Sequence, residues 1–502
     1  MFRLFIYLIV VFLIGSSFPI KAQAIDPNLT QWISYDQTYY KIPVAEPGIY
    51  RLTAAELVRA GIPVHQLDPT TIQLFHRGIE QAIFVEGEAD HRFDPTDFLE
   101  FYGQQNDGAQ DSLLYRPHSA QPHRYYSLFN DTTTYFLTWR LNGKTGKRMA
   151  IQTDTTATGL APEAYHWAEE LRLFTSDYPG WAAGLPGKTE YSYYEAGEGY
   201  TGPRQQKNQP YFIPFQLTDP ARYGPNPQVD VLVVGREVSN HWVTCLIGST
   251  ADHQQLQDSV RFSGYANAHL QFRIDWSAID TNGDVMVSTV SGNETTASDA
   301  YSVSYIRLRY PQQLTANSQS FKRFELQPNF TGRSLLTISD VLPNTSFWDI
   351  TDPDMPIRLR VLSDSSTSLR LVVLGTTRPR ILLSTTARKS IVGLYRVTFT
   401  DWSGRKPSYV IISHESLMKP ASSTAGDTPS NAVRAYAAYR ASKAGGSFDT
   451  LTVTMQQLID QYSYGERHPL SIRRFIRQFL HANTVNPYLL LMGRGRSTPG
   501  IR

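Results

Sequence analysis

Tyr409-Val410-Ile411-Ile412 and Tyr488-Leu489-Leu490-Leu491-Met492 are unbroken apolar runs, and how they are read decides the fold of the carboxyl-terminal part of the chain. A strand with one wet face alternates apolar and polar side chains. A run without alternation is expected where both faces are covered, as in a parallel sheet. Between the two runs, Asn431 can cap a helix through Ala444 that Gly445-Gly446 ends, Leu451 to Thr454 reads as a third strand, and Pro469 starts a further helix. In that helix Ile472, Phe475, Ile476, Phe479 and Leu480 form an apolar stripe, with Arg473, Arg474 and Arg477 outside it or at its flank as a solvated face. Residues 407–502 are therefore read as the beginning of an α/β domain, incomplete at three strands. Its site would lie beyond the strands' carboxyl ends, in the loops after Ile412 and Met492. The open edge of such a sheet is expected to favour aggregation.

The preceding stretch has a different texture. Leu270, Phe272, Ile274 and Trp276 alternate with Gln271, Arg273 and Asp275, the two-residue period of a half-buried strand. Asp280-Thr281-Asn282-Gly283-Asp284 supplies an Asn-Gly turn ahead of Val285-Met286-Val287. With the runs from Tyr301 to Tyr310 and from Leu369 to Leu374, residues 161–400 are expected to form an antiparallel β-sandwich without helices. Residues 25–160 read as a smaller β domain in which Tyr40, Ile42 and Val44 alternate with polar or turn residues. Ser127-Leu128-Phe129 and Thr134-Tyr135-Phe136-Leu137-Thr138 flank Asn130-Asp131 as the arms of a hairpin would. Thr53 and Glu56 make a capping box for one short helix that Gly61 can close. The fold class is thus mainly β, followed by the start of a parallel-sheet α/β domain.

Arg3 precedes an apolar run from Leu4 to Ile14, and Ala22-Gln23-Ala24 offers a small-x-small cleavage site, so residues 1–24 are read as a signal peptide. That run falls well short of the roughly 20 residues that cross a bilayer, and no later stretch reaches that length. The mature chain is expected to be exported, to the periplasm, the outer-membrane surface or the medium, without a transmembrane helix. Lys and Arg number 47 against 45 Asp and Glu, a net charge of +2 that gives no drive towards nucleic acid. Cys245 is the single cysteine of the 502 residues, so no intrachain disulfide can form and burial must hold the fold.

Candidate chemistry is sparse. Cys245 lies on the strand His241-Trp242-Val243-Thr244-Cys245-Leu246 and reads as a small buried apolar residue. His241 shares its face but sits about 13 Å away by strand rise, too far for a dyad. His414 ends the first tail strand, a position from which an imidazole could enter the crevice, although a structural or solvated ring is the favoured reading. Gly493-Arg494-Gly495 follows a buried strand but lacks phosphate-loop spacing. Asp280, Asn282 and Asp284 place oxygen ligands at alternate positions, yet Gly283 stands fourth instead of sixth and Ser291 occupies the twelfth position. Asp349, Asp352 and Asp354 form another carboxylate cluster, read as turn-forming with structural calcium as the minority view. Neither a Gly-x-Ser-x-Gly elbow nor a His-Glu-x-x-His helix is present.

Three sets of residues, in order along nearly the whole chain, resemble one family, the gingipain-type cysteine peptidases, and within it the type IX secretion system sortase branch. The first set is Gly48-Ile49-Tyr50-Arg51-Leu52, Asp97-Phe98-Leu99-Glu100-Phe101-Tyr102-Gly103, and the stretch from Tyr126 to Trp139. The second is Asn240-His241, Tyr305-Ile306-Arg307-Leu308 with Tyr310-Pro311, and Phe347-Trp348-Asp349-Ile350-Thr351-Asp352-Pro353. The tail adds Tyr409 to His414, Tyr439-Arg440-Ala441-Ser442-Lys443 with Gly445, Tyr462-Ser463-Tyr464-Gly465, Ile472-Arg473-Arg474-Phe475 and Leu489-Leu490-Leu491-Met492-Gly493.

The resemblance implies a caspase-like α/β peptidase domain preceded by β domains, with a His as base and a Cys as nucleophile. In this family both lie beyond the strand matching Tyr488 to Met492, so no residue here is given a catalytic role, and cofactor and metal sites are read as none. The family usually has Asp after the glycine matched by Gly493, where this chain has Arg494. The expectation is the N-terminal portion of an exported gingipain-like endopeptidase, inactive at this length. Its partners would be protein substrates or secretion-system components at the cell surface. The alternative is a non-catalytic surface β-sandwich that binds a partner, a glycan or a secretion component.

Overall fold

The computed structural model describes residues 29–140, 143–179, 193–195, 197–292, 297–365, 368–420, 431–482 and 486–495. The expected signal peptide, residues 1–24, lies outside the described residues. Strands dominate, and they end in a parallel α/β unit, as the sequence pattern requires.

The first part packs two sheets face to face. One has the strand order Tyr395–Val397, Tyr39–Val44, Thr133–Trp139, Ile72–His76 and Ile79–Gln81. The other orders Lys389–Ser390, Gly48–Thr53, Phe98–Gly103 and Phe84–Val85. Ile42, Leu52, Leu74, Leu99 and Phe101 fill the core between them. Residues 389–397 thus return from far along the chain to close both sheets. The capping box forms as expected: Thr53 receives the Glu56 N–H, the Glu56 carboxylate receives the Thr53 N–H at 2.8 Å, and helix Ala54–Arg59 follows. Such a cap is worth about 1 kcal/mol.

The hairpin expected across Asn130-Asp131 does not form. Only Thr133–Trp139 is a strand, and Ser127 to Phe129 is irregular. The reason is side-chain competition for backbone donors: the Leu128 N–H goes to Asp111 Oδ2 at 2.7 Å, and the Phe129 N–H to Ser127 Oγ at 3.2 Å. Thr133–Trp139 pairs with Tyr39–Val44 and Ile72–His76 instead.

The middle of the chain builds two cores where one sandwich was expected. Nine strands form one sheet, and two smaller sheets cover its two halves. A four-stranded sheet closes a core around Val231, Val243, Val287 and Ile306, and a three-stranded sheet closes another around Phe324, Leu336, Phe347 and Leu371. The halves of the long sheet meet through the single pair Glu325–Trp167. Strand Asn267–Arg273 ends before Trp276, which enters a short 3-10 turn capped by Asp275. The Asn282-Gly283 turn forms, with Gly283 at φ 89°, the left-handed region glycine reaches without a Cβ clash.

In the last part Tyr409–Ser413 is central, flanked in parallel by Thr450–Thr454 and Tyr488–Met492. Asn431 caps helix Ala432–Ala441, three residues shorter than expected. Helix Met455–Tyr462, not anticipated, starts directly from its strand through a second capping box, Thr454 with Gln457. Phe475 and Phe479 of helix Leu470–Ala482 are buried as the stripe predicts, but Leu480 is exposed. The central strand is buried along its whole length, whereas Tyr488, Leu489 and Leu491 of the edge strand are 63%, 43% and 56% exposed. The expectation that this run is covered on both faces is therefore not met among the described residues.

A polar network docks the first part onto the last. Glu466, 1% exposed, receives Arg77 Nε at 2.6 Å, Gln110 Nε2 at 2.7 Å and Thr133 Oγ1 at 2.9 Å. Lys41 pairs with Asp460 at 2.9 Å. Arg474 reaches Gln110 and the Tyr462 carbonyl, each at 2.8 Å, and Arg473 reaches the Leu113 carbonyl at 2.7 Å. Two of the three helix arginines are thus interdomain ties, contrary to the solvated face expected for them. Trp32 adds an aromatic seam, its ring centroid 5.1 to 5.7 Å from those of Phe136, Phe399, Phe75 and Tyr39.

Replacing Arg77 by Met would leave the Glu466 carboxylate buried without its cation. We expect a loss of about 3–5 kcal/mol in chemical denaturation, and a loss below about 1 kcal/mol would show the network to be dispensable. His76 supplies a second test. Burial, aided by the neighbouring Arg77 charge, lowers its pKa from 6.5 to about 3, and burial also lowers that of His468. The unfolded chain therefore takes up protons below pH 6.5 that the folded one refuses. Stability should be complete above that pH and fall towards pH 3, by up to roughly 1.4 kcal/mol per pH unit for each such ring. Denaturation midpoints measured across this range, with a flatter profile for His76→Gln, check the sign.

Candidate functional site

Three parallel strands deliver their carboxyl ends to one edge of the sheet, and the residues that follow them meet in a crevice of about 1020 Å³. His414 and Glu415 follow the central strand, Met455 and Gln456 follow Thr450–Thr454, and Gly493 to Gly495 follow the edge strand. The facing wall is the segment Arg467 to Pro469, with Phe129 and Tyr194 contributed by earlier parts of the chain. The loops expected after Ile412 and Met492 are both there, and the loop after Thr454 joins them.

His414 enters the crevice but is engaged as a cap. Its Nδ1 accepts the Ser416 N–H at 3.2 Å and lies 2.8 Å from Ser416 Oγ, which opens the short turn Glu415–Met418. Nδ1 must be the acceptor there, so the ring proton sits on Nε2, 3.7 Å from Glu415 Oε2. Ser416 is exposed, and the arrangement offers a helical turn its first-turn acceptor without a shielded place for an oxyanion.

His468 was not singled out from sequence. Its Nε2 faces Asp111 Oδ1 at 3.1 Å and its Nδ1 accepts the Leu470 N–H at 3.1 Å, which fixes the tautomer and starts helix Leu470–Ala482. Asp111 in turn holds Leu128 and Ser127, so one carboxylate from the first part anchors both sides of the wall. The only sequence signal was a polar residue two positions ahead of a helix, which is common.

The other candidates are structural. Cys245 is 0% exposed in the middle core, and burial pushes its thiol pKa well up, away from a reactive thiolate. His241 is held by Asp299 at 2.7 Å and the Gly264 carbonyl at 3.0 Å. Asp280 Oδ1 receives the N–H groups of Asn282 and Asp284, both at 2.8 Å, and so shapes a turn. Asp349 pairs with Arg380, Asp352 receives the Asp354 N–H at 3.1 Å, and Asp354 receives Gln81 Nε2 at 3.0 Å, a tie to the first part. Among the described residues no group of three or more His, Cys, Asp or Glu could hold a metal ion.

A narrow parallel sheet with a crevice at its carboxyl edge, carried on β-sandwiches, defines the class. Residues 403–500 match the model of peptidase family C25, the family that the sequence resembles. Over 91% of its length the chain also superposes on dimeric latent PorU from Porphyromonas gingivalis, with a TM-score of 0.59 at 15% identity, and it spans 41% of that chain. That likeness shows the fold, including the caspase-like character of the last part. A putative secreted protein from Parabacteroides distasonis is similar over 48% of this chain and 84% of its own, at 11% identity and a TM-score of 0.16, too low to bear on function. No curated protein matches the chain.

The burial of Cys245 predicts that a thiol reagent will not label the native protein and will label it fully in denaturant. Fast labelling of folded material would place the thiol at a surface and contradict the core assignment.

Proposed function

We propose that the chain is the N-terminal portion of an exported, gingipain-like cysteine endopeptidase related to the type IX secretion sortase. On this reading residues 25–160 and 161–400 are scaffold, and residues 407–502 begin the peptidase domain. The observation that carries it is the uneven burial of the parallel sheet. The edge strand has the same unbroken apolar composition as the fully buried central strand, yet it leaves Tyr488, Leu489 and Leu491 in water. A strand composed for cover on both faces calls for a further strand and helix against it.

In the family the His and Cys follow that strand. A thiolate there would attack the scissile carbonyl while backbone N–H groups hold the oxyanion. The present chain contributes one wall of the crevice and the docked scaffold that keeps it still, and by itself it is inert as a peptidase. The cleavage motif Ala22-Gln23-Ala24 supports export, and no helix among the described residues is long and apolar enough to cross a membrane.

Two polypeptides test the proposal: residues 25–502, and the same chain continued through the reading frame past the Arg502 codon. The longer one should hydrolyse protein and lose activity on thiol alkylation, whereas the shorter should cleave nothing. The shorter should also self-associate through its open edge, and Leu491→Lys should reduce that. Proteolysis by residues 25–502 alone, or a stop codon directly after Arg502, would overturn the reading in favour of a non-catalytic binding protein.

A further inference from the structure

The crevice is lopsided in charge. Among the described residues its one acidic lining residue, Glu415, is already committed: its carboxylate accepts the Gln456 N–H in the first turn of helix Met455–Tyr462. Two lining residues are cationic, Arg467 and Arg494. Both are exposed, and neither guanidinium has an ion pair or hydrogen bond among the described residues. The N-terminal ends of helices Met455–Tyr462 and Leu470–Ala482 open at the same place, since Met455, Gln456 and Pro469 line it, and they add partial positive charge.

Arg467 and Arg494 thus line the crevice without a counter-charge among the described residues, and an anionic partner would supply one. The chain illustrates the chemistry within itself, because Glu415 is a carboxylate seated on a helix N-terminus inside this crevice.

We propose that the crevice binds an extended polypeptide segment rich in Asp and Glu, with its carboxylates meeting Arg467 and Arg494. Leu417, an exposed side chain of the same lining, offers apolar contact. The proposal deepens the peptidase reading by naming its substrate class, yet the binding it describes is read without hydrolysis.

The test is fluorescence anisotropy on residues 25–502 with two labelled peptides of equal length. One alternates Asp and Glu with Val and Phe, and the other carries Lys and Arg at the acidic positions. The acidic peptide should bind more tightly, and added salt should weaken it. Arg467→Glu combined with Arg494→Glu should lower its affinity on the order of tenfold. Both crevice arginines are exposed, so the fold should survive; Arg467→Gln with Arg494→Gln serves if the reversal does not fold. Equal or tighter binding of the basic peptide, or affinity indifferent to these substitutions, would overturn the proposal. Failure of the longer polypeptide to cleave protein would count against the peptidase reading alone.

Discussion

The Glu466 carboxylate, out of water and held by Arg77, Gln110 and Thr133, is the contact on which the arrangement of this protein depends. A buried charge is tolerable only when it is paired and its lone pairs are filled, so the three donors, all from the first part of the chain, must stay in place. That requirement fixes the segment Ser463 to Pro469 against the first β part. The segment is one wall of the crevice, and its position is therefore set by residues more than three hundred positions earlier in sequence.

The constraint propagates in both directions. Arg77 is the first residue of a tight turn between Ile72–His76 and Ile79–Gln81, with φ 46° at Arg77 and 81° at Gly78. Asn or Asp usually precedes Gly in such turns, and an arginine there costs of order 1 kcal/mol. Its ion pairs with Glu466 and Asp107 offset that cost. On the other side, His468 carries the hold on to helix Leu470–Ala482 through the Leu470 N–H. The β part is thus a component of the crevice wall as much as a neighbour of it.

Local rules read the local elements well. The Thr53 to Glu56 cap, the Asn431 cap and the Asn282-Gly283 turn were legible because each depends on residues within a few positions. The Thr454 to Gln457 capping box was equally plain in the sequence, and helix Met455–Tyr462 was within reach of the same rule. The hairpin at Asn130-Asp131 failed for a non-local reason, since Asp111 takes the donor that a ladder would have used. Leu480 followed the stripe and is still exposed, because periodicity names a face without naming what covers it. Of the site, the loops after the strands were foreseen from parallel topology, while His468, Asp111 and Glu466 were not, since no spacing links residues so far apart.

By itself the sequence determined the strand-rich class, the parallel sheet at the carboxyl-terminal end and the edge of that sheet where a site would lie, because hydrophobic period and capping chemistry are short-range properties of the chain. Tertiary structure alone decided that the middle holds two cores on one long sheet, that Arg473 and Arg474 are ties instead of a wet face, and that His414 caps a turn. Those outcomes rest on which distant donor reaches which buried acceptor, and that is set by the packing of whole sheets against one another.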